Sequence, residues 1–106
     1  MLGILVHRNG NEVTLRCRGD VVAGRCVDVL RLAAEMRREM IVILDLCQVR
    51  VLDAAGLGLL VDLHQSLKSS GRELRLSRAS SRVRRTLRLV KLDRVLNLES
   101  KHAMAA

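Results

Sequence analysis

The sequence contains no aromatic residue and no proline, and both absences restrict the fold. Without Phe, Tyr or Trp, aliphatic side chains must fill the core. Without Pro, the turns depend on Gly, Asn and Ser, which disfavours a loop-rich all-β fold. The chain has 106 residues, of which 49% are hydrophobic, so we expect one domain with a single core that needs no disulfide or metal.

Cysteine is scarce, and so are long apolar runs. The three cysteines are an odd number, and none has the Cys-x-x-Cys spacing or the nearby His of a zinc site. No run approaches the roughly 20 apolar residues that a membrane span needs, and the chain begins on a strand pattern without an apolar signal region. These features predict a cytoplasmic protein without a metal or another cofactor.

Positive charge is in excess, with 19 Lys and Arg against 11 Asp and Glu, for a net charge of +8. Much of it lies late in the chain, at Arg72, Arg75, Arg78, Arg82, Arg84, Arg85, Arg88, Lys91 and Arg94. Such a field favours an acidic partner or a polyanion. Specific nucleic-acid binding is disfavoured, because stacking aromatics and helix-turn-helix spacing are both missing.

One apolar strand and the helix after it organise the chain. Residues 41–45 are aliphatic and partly β-branched, which predicts a central strand covered on both faces. Asp53 is a good helix N-cap, apolar residues then recur at helical spacing, and Gly71 is typical of the left-handed residue that follows a helix. The segment therefore predicts a buried strand, a short loop and a helix.

The beginning of the chain predicts a hairpin and a helix. Asn9 and Gly10 suit a type I′ turn between strands at 4–8 and 12–18. Residues 23–39 predict an amphipathic helix. Its predicted inward residues are Cys26, Val29, Leu30, Ala33 and Met36. A helix between two strands implies a parallel, right-handed crossover, so the sheet should be mixed.

The end of the chain predicts two further strands and a third helix. Residues 73–77 alternate as a strand, and residues 81–90 predict a helix with Val83, Leu87 and Val90 inward. A short strand at 95–98 precedes a tail of about six residues that we expect to be frayed. The order β-β-α-β-α-β-α-β is that of an α/β fold.

Two motifs carry a family resemblance. Ile-Leu-Asp-Leu at 43–46 and Val-Leu-Asp-Ala-Ala-Gly-Leu-Gly at 51–58 resemble the STAS domain of bacterial anti-sigma factor antagonists, in which Asp-Leu is followed by Asp-Ser-Ser-Gly-Leu-Gly or a close variant. The resemblance covers nearly the whole chain and implies one STAS-like domain over residues 1–106. It also implies a regulatory protein that binds a serine kinase acting as an anti-sigma factor.

The resemblance further implies a phosphorylation switch that this sequence lacks. In the family, the kinase phosphorylates the second residue after the motif Asp, and the modification breaks the complex. That position is Ala55 here, preceded by Ala54, and neither side chain has a hydroxyl group. A second departure is Val22, where the family more often has an acidic or polar residue capping the first helix.

We therefore predict a partner-binding surface around the start of the second helix. Its residues are Asp20, Asp53, Ala54, Ala55, Gly56, Leu57 and Gly58. Structural roles compete with partner binding at several of them. Helix capping alone would explain Asp53, and close packing would explain two glycines that otherwise cost a helix about 1 kcal/mol each. Leu57 fits either the core or a partner contact.

Other functions remain as alternatives. The chain fits an adaptor subunit of a stress-signalling or membrane-transport complex, or an anion or nucleotide binder that uses the late basic residues. An acid/base pair of Asp45 and Asp53 would lie where α/β folds place active sites, but no nucleophile or P-loop accompanies it, so we predict no enzymatic activity. His64 lacks metal ligands at suitable spacing. A weak homodimer stays open.

Overall fold

The computed structural model describes residues 2–21, 23–35 and 37–99, which form five strands and three α-helices. The strands are β1 Gly3–Asn9, β2 Glu12–Arg18, β3 Ile41–Gln48, β4 Glu73–Ser77 and β5 Asn97–Glu99. The helices are α1 Arg25–Glu35, α2 Ala54–Ser69 and α3 Ser81–Leu89, and a 3₁₀ turn occupies Leu92–Arg94. The predicted α/β order is confirmed, with the 3₁₀ turn as an addition.

The sheet is mixed, as the crossover argument predicted. Its strand order is β1-β2-β3-β4-β5. The β1 and β2 strands pair antiparallel, and every other neighbouring pair is parallel. A helix connects each parallel pair because the chain must return to the same end of the sheet before the next strand starts. The carboxyl ends of β2, β3 and β4 therefore lie at one edge.

Among the described residues, apolar packing covers one face of the sheet and leaves the other largely uncovered. The buried strand residues that face the helices are Val13, Leu15, Cys17, Val42, Leu44, Leu46, Leu74 and Leu76. On the opposite face, Ile41 and Ile43 are only half-buried, and Leu5 is 62% exposed. The prediction that residues 41–45 are covered on both faces was wrong, because an aliphatic run does not reveal whether a second layer exists. We call this second side the open face.

Helix α1 is shorter than predicted, and it buries a different stripe. It ends at Glu35 rather than at residue 39. Val27, Leu30 and Ala34 are buried, Ala33 is partly buried, and Val29 is 46% exposed. The predicted stripe was rotated because an aliphatic-rich helix offers more than one apolar face, and only packing selects between them. Val22 and Met36 lie outside the described residues, as does the side chain of Cys26.

Two arginines hold the chain where α1 ends. Arg37 donates through its backbone N–H to the carbonyl of Ala34 (3.2 Å) and through Nε to that of Ala33 (3.3 Å), so two of the last helix carbonyls find new donors. In the segment that follows, Nη2 of Arg72 donates to the carbonyl oxygen of Arg37 (2.6 Å), and its Nε donates to that of Glu39 (2.9 Å). A side chain from a distant part of the sequence therefore fixes the path of the chain after the helix.

Helix α2 has the predicted boundaries. Asp53 is the N-cap, and Gly71 follows the helix with φ 74°. The N–H of Gly71 donates to the carbonyl of Lys68 (3.0 Å), and that of Arg72 donates to the carbonyl of Leu67 (2.8 Å). These bonds satisfy the last carbonyls of the helix, and glycine adopts the required positive φ without strain.

Several smaller predictions need correction. Asn9 pairs with Glu12, so the loop residues of the hairpin are Gly10 and Asn11, and of these only Gly10 has a positive φ, 63°. That excludes a type I′ turn, which needs two. At the other end of the chain, Val90 is 49% exposed rather than inward, and the last strand starts at Asn97 because the 3₁₀ turn precedes it. The tail predicted to fray, residues 101–106, lies outside the described residues.

Along the described ranges, no helix combines the length and the apolar character needed to span a bilayer.

Candidate functional site

Two loops meet at the carboxyl edge of the sheet and pair with each other. One connects β2 to α1, and the other connects β3 to α2. The N–H of Gly19 donates to the carbonyl of Gln48 (3.2 Å), and the N–H of Val21 donates to that of Val51 (3.0 Å). The N–H of Asp53 returns a bond to the carbonyl of Val21 (3.4 Å). The loops are therefore tied together by backbone bonds, and we call them, with the first turn of α2, the platform.

The carboxylate of Asp53 holds both parts of the platform. Its Oδ1 accepts from the N–H of Gly56 (2.9 Å) and so caps α2. Its Oδ2 accepts from the N–H of Ala23 (2.9 Å) in the other loop. The capping role predicted from the sequence is confirmed. The bond to Ala23 was not predictable, because the two residues are 30 positions apart.

The two glycines at the start of α2 lie in different surroundings. Gly56 is buried, and a β-carbon on it would collide with the carbonyl oxygen of Val21 and lie 3.3 Å from the Cγ1 atom of that residue. Gly58 is exposed, and a β-carbon there would meet nothing within 4 Å. Close packing thus accounts for Gly56, whereas packing against the described residues does not account for Gly58.

The remaining predicted site residues lie on or beside the platform. Ala54 and Gly58 are exposed and one helical turn apart, so they share a face. Ala55 and Leu57 are half-buried and pack against the core. Asp20 is half-buried in the loop before α1. The accessible surface of the predicted site is therefore narrower than the motif, and it centres on Ala54 and Gly58.

Asp45 lies on the open face, beside the platform. Its carboxylate accepts hydrogen bonds from two arginines and from a backbone N–H. Arg78 donates through Nε and Nη2, the latter at 3.0 Å, and Arg16 donates through Nε at 3.3 Å. The N–H of Cys47 also donates to it (3.0 Å). Burial by itself would raise the pKa of Asp45, but the Arg78 and Cys47 hydrogen bonds and the charge of Arg78 outweigh it, so that the pKa is lowered.

These contacts argue against an acid/base pair of Asp45 and Asp53. Each carboxylate is occupied by its own donors, and the pKa of each is lowered rather than raised. A general acid at neutral pH needs a raised pKa. Arg16 and Asp45 lie opposite each other on the neighbouring strands β2 and β3. The sequence predicted both strands but not the register that brings these two residues together.

The cysteines and histidines form no metal site in the part of the chain that the structure describes, since no three metal-ligating side chains cluster there. Cys17 is buried in the core, and desolvation, helped by the charge of Asp45, raises the pKa of its thiol to about 12. His64 is half-buried and lines an open groove of about 540 Å³ next to the amino ends of β3 and β4. That groove lies at the opposite end of the sheet from the platform.

The late basic residues do not form one surface. Arg72 lies before β4 and binds backbone carbonyls, Arg75 pairs with Glu73 within the strand, and Arg78 follows the strand and binds Asp45. Strand β4 therefore separates the first and last of these arginines. Arg82 and Arg85 are exposed on α3. The sequence cluster is divided by the fold into different environments.

The hydrogen bonds to the carboxylates of Asp45 and Asp53 predict that the stability of the fold depends on pH in the acidic range. The pKa of Asp53 is lowered, chiefly by the hydrogen bonds from Ala23 and Gly56, and that of Asp45 is lowered as described above. A lowered folded-state pKa means that the unfolded chain binds protons first, so this stabilisation is complete above the ordinary carboxyl pKa of about 4 and is lost as pH falls below it.

We expect urea midpoints measured from pH 7 to pH 2 to show a plateau that falls below about pH 4. The Asp53→Asn variant, whose amide does not titrate, should be less stable at pH 7 and should lose less between pH 5 and pH 2. Asp28→Asn, on the exposed surface of α1, makes the same substitution away from the platform and is the control. A variant curve for Asp53→Asn parallel to the parent curve would contradict this assignment.

Comparison with known proteins gives one family and a consistent fold. Residues 4–105 match the STAS domain. An anti-sigma factor antagonist from Mycobacterium paratuberculosis superposes with a TM-score of 0.79 at 18% identity, covering 99% of this chain and 93% of that one. The anti-sigma factor antagonist SpoIIAA in its unphosphorylated form superposes with a TM-score of 0.73 at 17% identity, covering 92% of this chain and 88% of that one.

A transport-related structure is similar as well. A sulfate transporter family protein from Wolinella succinogenes gives a TM-score of 0.72 at 25% identity, covering 82% of this chain and 72% of that one. The chain also spans 18% of the length of the much longer protein in the Mglu structure. At these identities, the antagonist structures share the fold, and the functional conclusion depends on the family and on the platform.

Proposed function

Because the chain belongs to the STAS domain family, we propose that it is an anti-sigma factor antagonist-like regulatory protein without the usual phosphorylation switch. Its partner is a serine kinase that acts as an anti-sigma factor, and it binds the platform. The observation that supports this proposal is the capped start of α2, where Asp53 fixes the helix and the adjoining loop. The proposal adds that Ala55 stands at the switch position, which the resemblance to the family implies.

The position of Ala55 explains how a phosphate would act there. It is the second residue of α2, close to the Asp53 carboxylate, which already accepts the nearby N–H of Gly56. A phosphoserine would add nearly two negative charges beside that carboxylate, although the helix dipole would offset part of the repulsion. A partner surface fitted to the uncharged state would be repelled. Alanine keeps the site permanently in that state.

In this proposal the partner backbone approaches the exposed face of α2. Ala54 and Gly58 are both small and lie one turn apart, so a partner segment can come close to the helix without displacing side chains. A close partner backbone offers a reason for Gly58, since no described residue lies near enough to require a glycine there. Leu57 packs against the core beneath this surface.

The proposal predicts that a serine at position 55 restores ATP sensitivity. Parent protein, Ala55→Ser and Ala54→Ser are immobilised and incubated with the cytoplasmic fraction of the native host, with and without ATP, and the retained kinase is identified by mass spectrometry. All three should retain a serine kinase without ATP. With ATP, only Ala55→Ser should release it, accompanied by a mass increase of one phosphate on the bait.

The neighbouring serine in Ala54→Ser is the matched control, because it adds the same hydroxyl one position away. Release from both serine variants would show that the position is not specific. Retention of no kinase by any bait would overturn the proposal. The similarity to the sulfate transporter family protein motivates the adaptor alternative. That alternative would be favoured if the baits instead retained components of a membrane-transport assembly.

A further inference from the structure

The open face carries two arginines that share one buried carboxylate. Nε of Arg16 lies 3.3 Å from Oδ2 of Asp45, and Nη2 of Arg78 lies 3.0 Å from the same oxygen. The side chain of Asp45 is 5% exposed, whereas each arginine side chain is 47% exposed. The guanidinium groups therefore cover the carboxylate, and part of each remains accessible to solvent.

The cluster has an excess of positive charge. Two guanidinium groups face one carboxylate, and Arg18, two residues after Arg16 on the same side of β2, donates only to the neutral amide oxygen of Gln48 (2.8 Å). One carboxylate does not satisfy three guanidinium groups, each of which can bind a carboxylate through two parallel N–H bonds. The cluster is therefore suited to further anionic groups, and the net charge of +8 favours their approach.

The backbone at Arg78 is a second, independent observation. Its φ is 54°, in the left-handed region that glycine adopts readily and other residues rarely do. Strained backbone of this kind is held in place by its surroundings and is concentrated at binding sites. Here the side chain is anchored to Asp45 and also lies 3.0 Å from Sγ of Cys47. A glycine at this position would relieve the strain but would lose both of these side-chain contacts.

We propose that Arg16, Arg18 and Arg78 form a docking surface for an acidic segment of a protein partner. The surface adjoins the platform, because β2, β3 and β4 end at the same edge and Gln48 contacts both Arg18 and the platform residue Gly19. The inference deepens the proposed function: it rests on the existence of a partner protein and adds that the partner presents Asp or Glu side chains to this edge.

Arg18 extends the arginine set beyond the reach of a single phosphate. Arg16 and Arg78 converge on one oxygen of Asp45, although β3 lies between their strands. Arg18 lies two residues further along β2, roughly 7 Å away, and binds Gln48 rather than Asp45. An extended acidic segment can reach Arg18 and the pair on Asp45 together, whereas one phosphate group does not.

The test uses the purified full chain and a fluorescein-labelled hexaglutamate peptide, with binding followed by fluorescence anisotropy at fixed salt. Arg78→Gly removes one guanidinium group and relieves the backbone strain, so the variant should fold. We expect its affinity for the peptide to fall about tenfold, the effect of losing one charged hydrogen-bonding partner. Lys91→Gly is the matched control, because Lys91 is exposed, has φ 61° and carries the same charge.

Asp45→Asn distinguishes positioning from general attraction. The substitution raises the net charge by one, so nonspecific attraction to hexaglutamate would become stronger. If Asp45 holds Arg16 and Arg78 in place, the affinity should instead fall, by about threefold or more, because the arginines lose their common anchor. Circular dichroism melting verifies folding. If Asp45→Asn does not fold, Arg16→Gln compared with Arg82→Gln on α3 provides a comparison at equal charge.

The outcomes separate this inference from the proposed function. Equal weakening in Arg78→Gly and Lys91→Gly, tighter peptide binding by Asp45→Asn, or displacement of the peptide by monophosphate as effectively as by free hexaglutamate would each overturn the docking surface. The peptide assay contains no kinase. Kinase retention by the platform can therefore succeed while the arginine surface fails, and the reverse holds as well.

Discussion

Gly56→Ala should destabilise the protein by about 3 kcal/mol or more, at the upper end of what overpacking costs. The added β-carbon would collide with the carbonyl oxygen of Val21, which is backbone and also accepts the N–H of Asp53. To relieve the collision, α2 must move away from the loop that precedes α1. That movement breaks the bond between Asp53 and Ala23, so the platform should open.

Gly58→Ala is the matched control, because it adds the same methyl group to the same helix two residues later. Its β-carbon meets nothing within 4 Å, and alanine favours a helix over glycine by about 1 kcal/mol. We expect urea denaturation to show a higher midpoint for Gly58→Ala and a much lower one for Gly56→Ala. Similar midpoints for the two variants would contradict the assigned close approach.

Gly58→Ala also has a functional use, since it should fold well and still change the proposed contact surface. If a partner backbone lies against Gly58, the added methyl group should weaken retention of the kinase while the melting temperature rises. Retention equal to that of the parent would place the partner elsewhere on the platform. Stability and binding are thereby expected to change in opposite directions in one variant.

Leu44→Ala should cost about 2–5 kcal/mol, the range for deleting a large side chain from a closed core. Leu44 lies at the centre of β3 with no exposed surface and belongs to the buried hydrophobic core. The sequence has no aromatic residue that could swing into the space. A cavity would therefore remain, and the midpoint of urea denaturation should fall sharply.

Ile43→Ala makes a comparable truncation on the other face of the same strand. Ile43 is half-buried on the open face, so we expect a loss of about 1 kcal/mol or less, as for strand positions without a second packing layer. A loss as large as that of Leu44→Ala would mean that the open face is covered in solution, and a homodimer would then be the first candidate. Sedimentation analysis of the parent protein tests that state directly.

Local signals were strong where one residue type has one physical explanation. Asp53 and Gly71 marked the two ends of α2 because a cap needs an acceptor and a C-terminal turn needs positive φ. Alternation located β4 at Glu73–Ser77 without error. The STAS motif then identified the family, because it extends over the same strand, loop and helix start.

Local signals failed where several environments fit the same residues. The aliphatic stretch of β3 suited one covered face as well as two, and α1 had enough apolar residues to bury either of two stripes. The segment after α1 is held by Arg72, a residue more than 30 positions away. Each of these features is decided by which element packs against which.

The sequence by itself determined the α/β order, the capped start of α2, the family and an alanine at position 55, because each depends on residue type and short-range spacing. Only the tertiary structure decided that Asp53 joins two loops, that Gly56 is required by contact with Val21, and that Asp45 holds Arg16 and Arg78 together. These contacts connect residues about 30 positions apart, and the strand register that brings them together is fixed by the packing of the whole core.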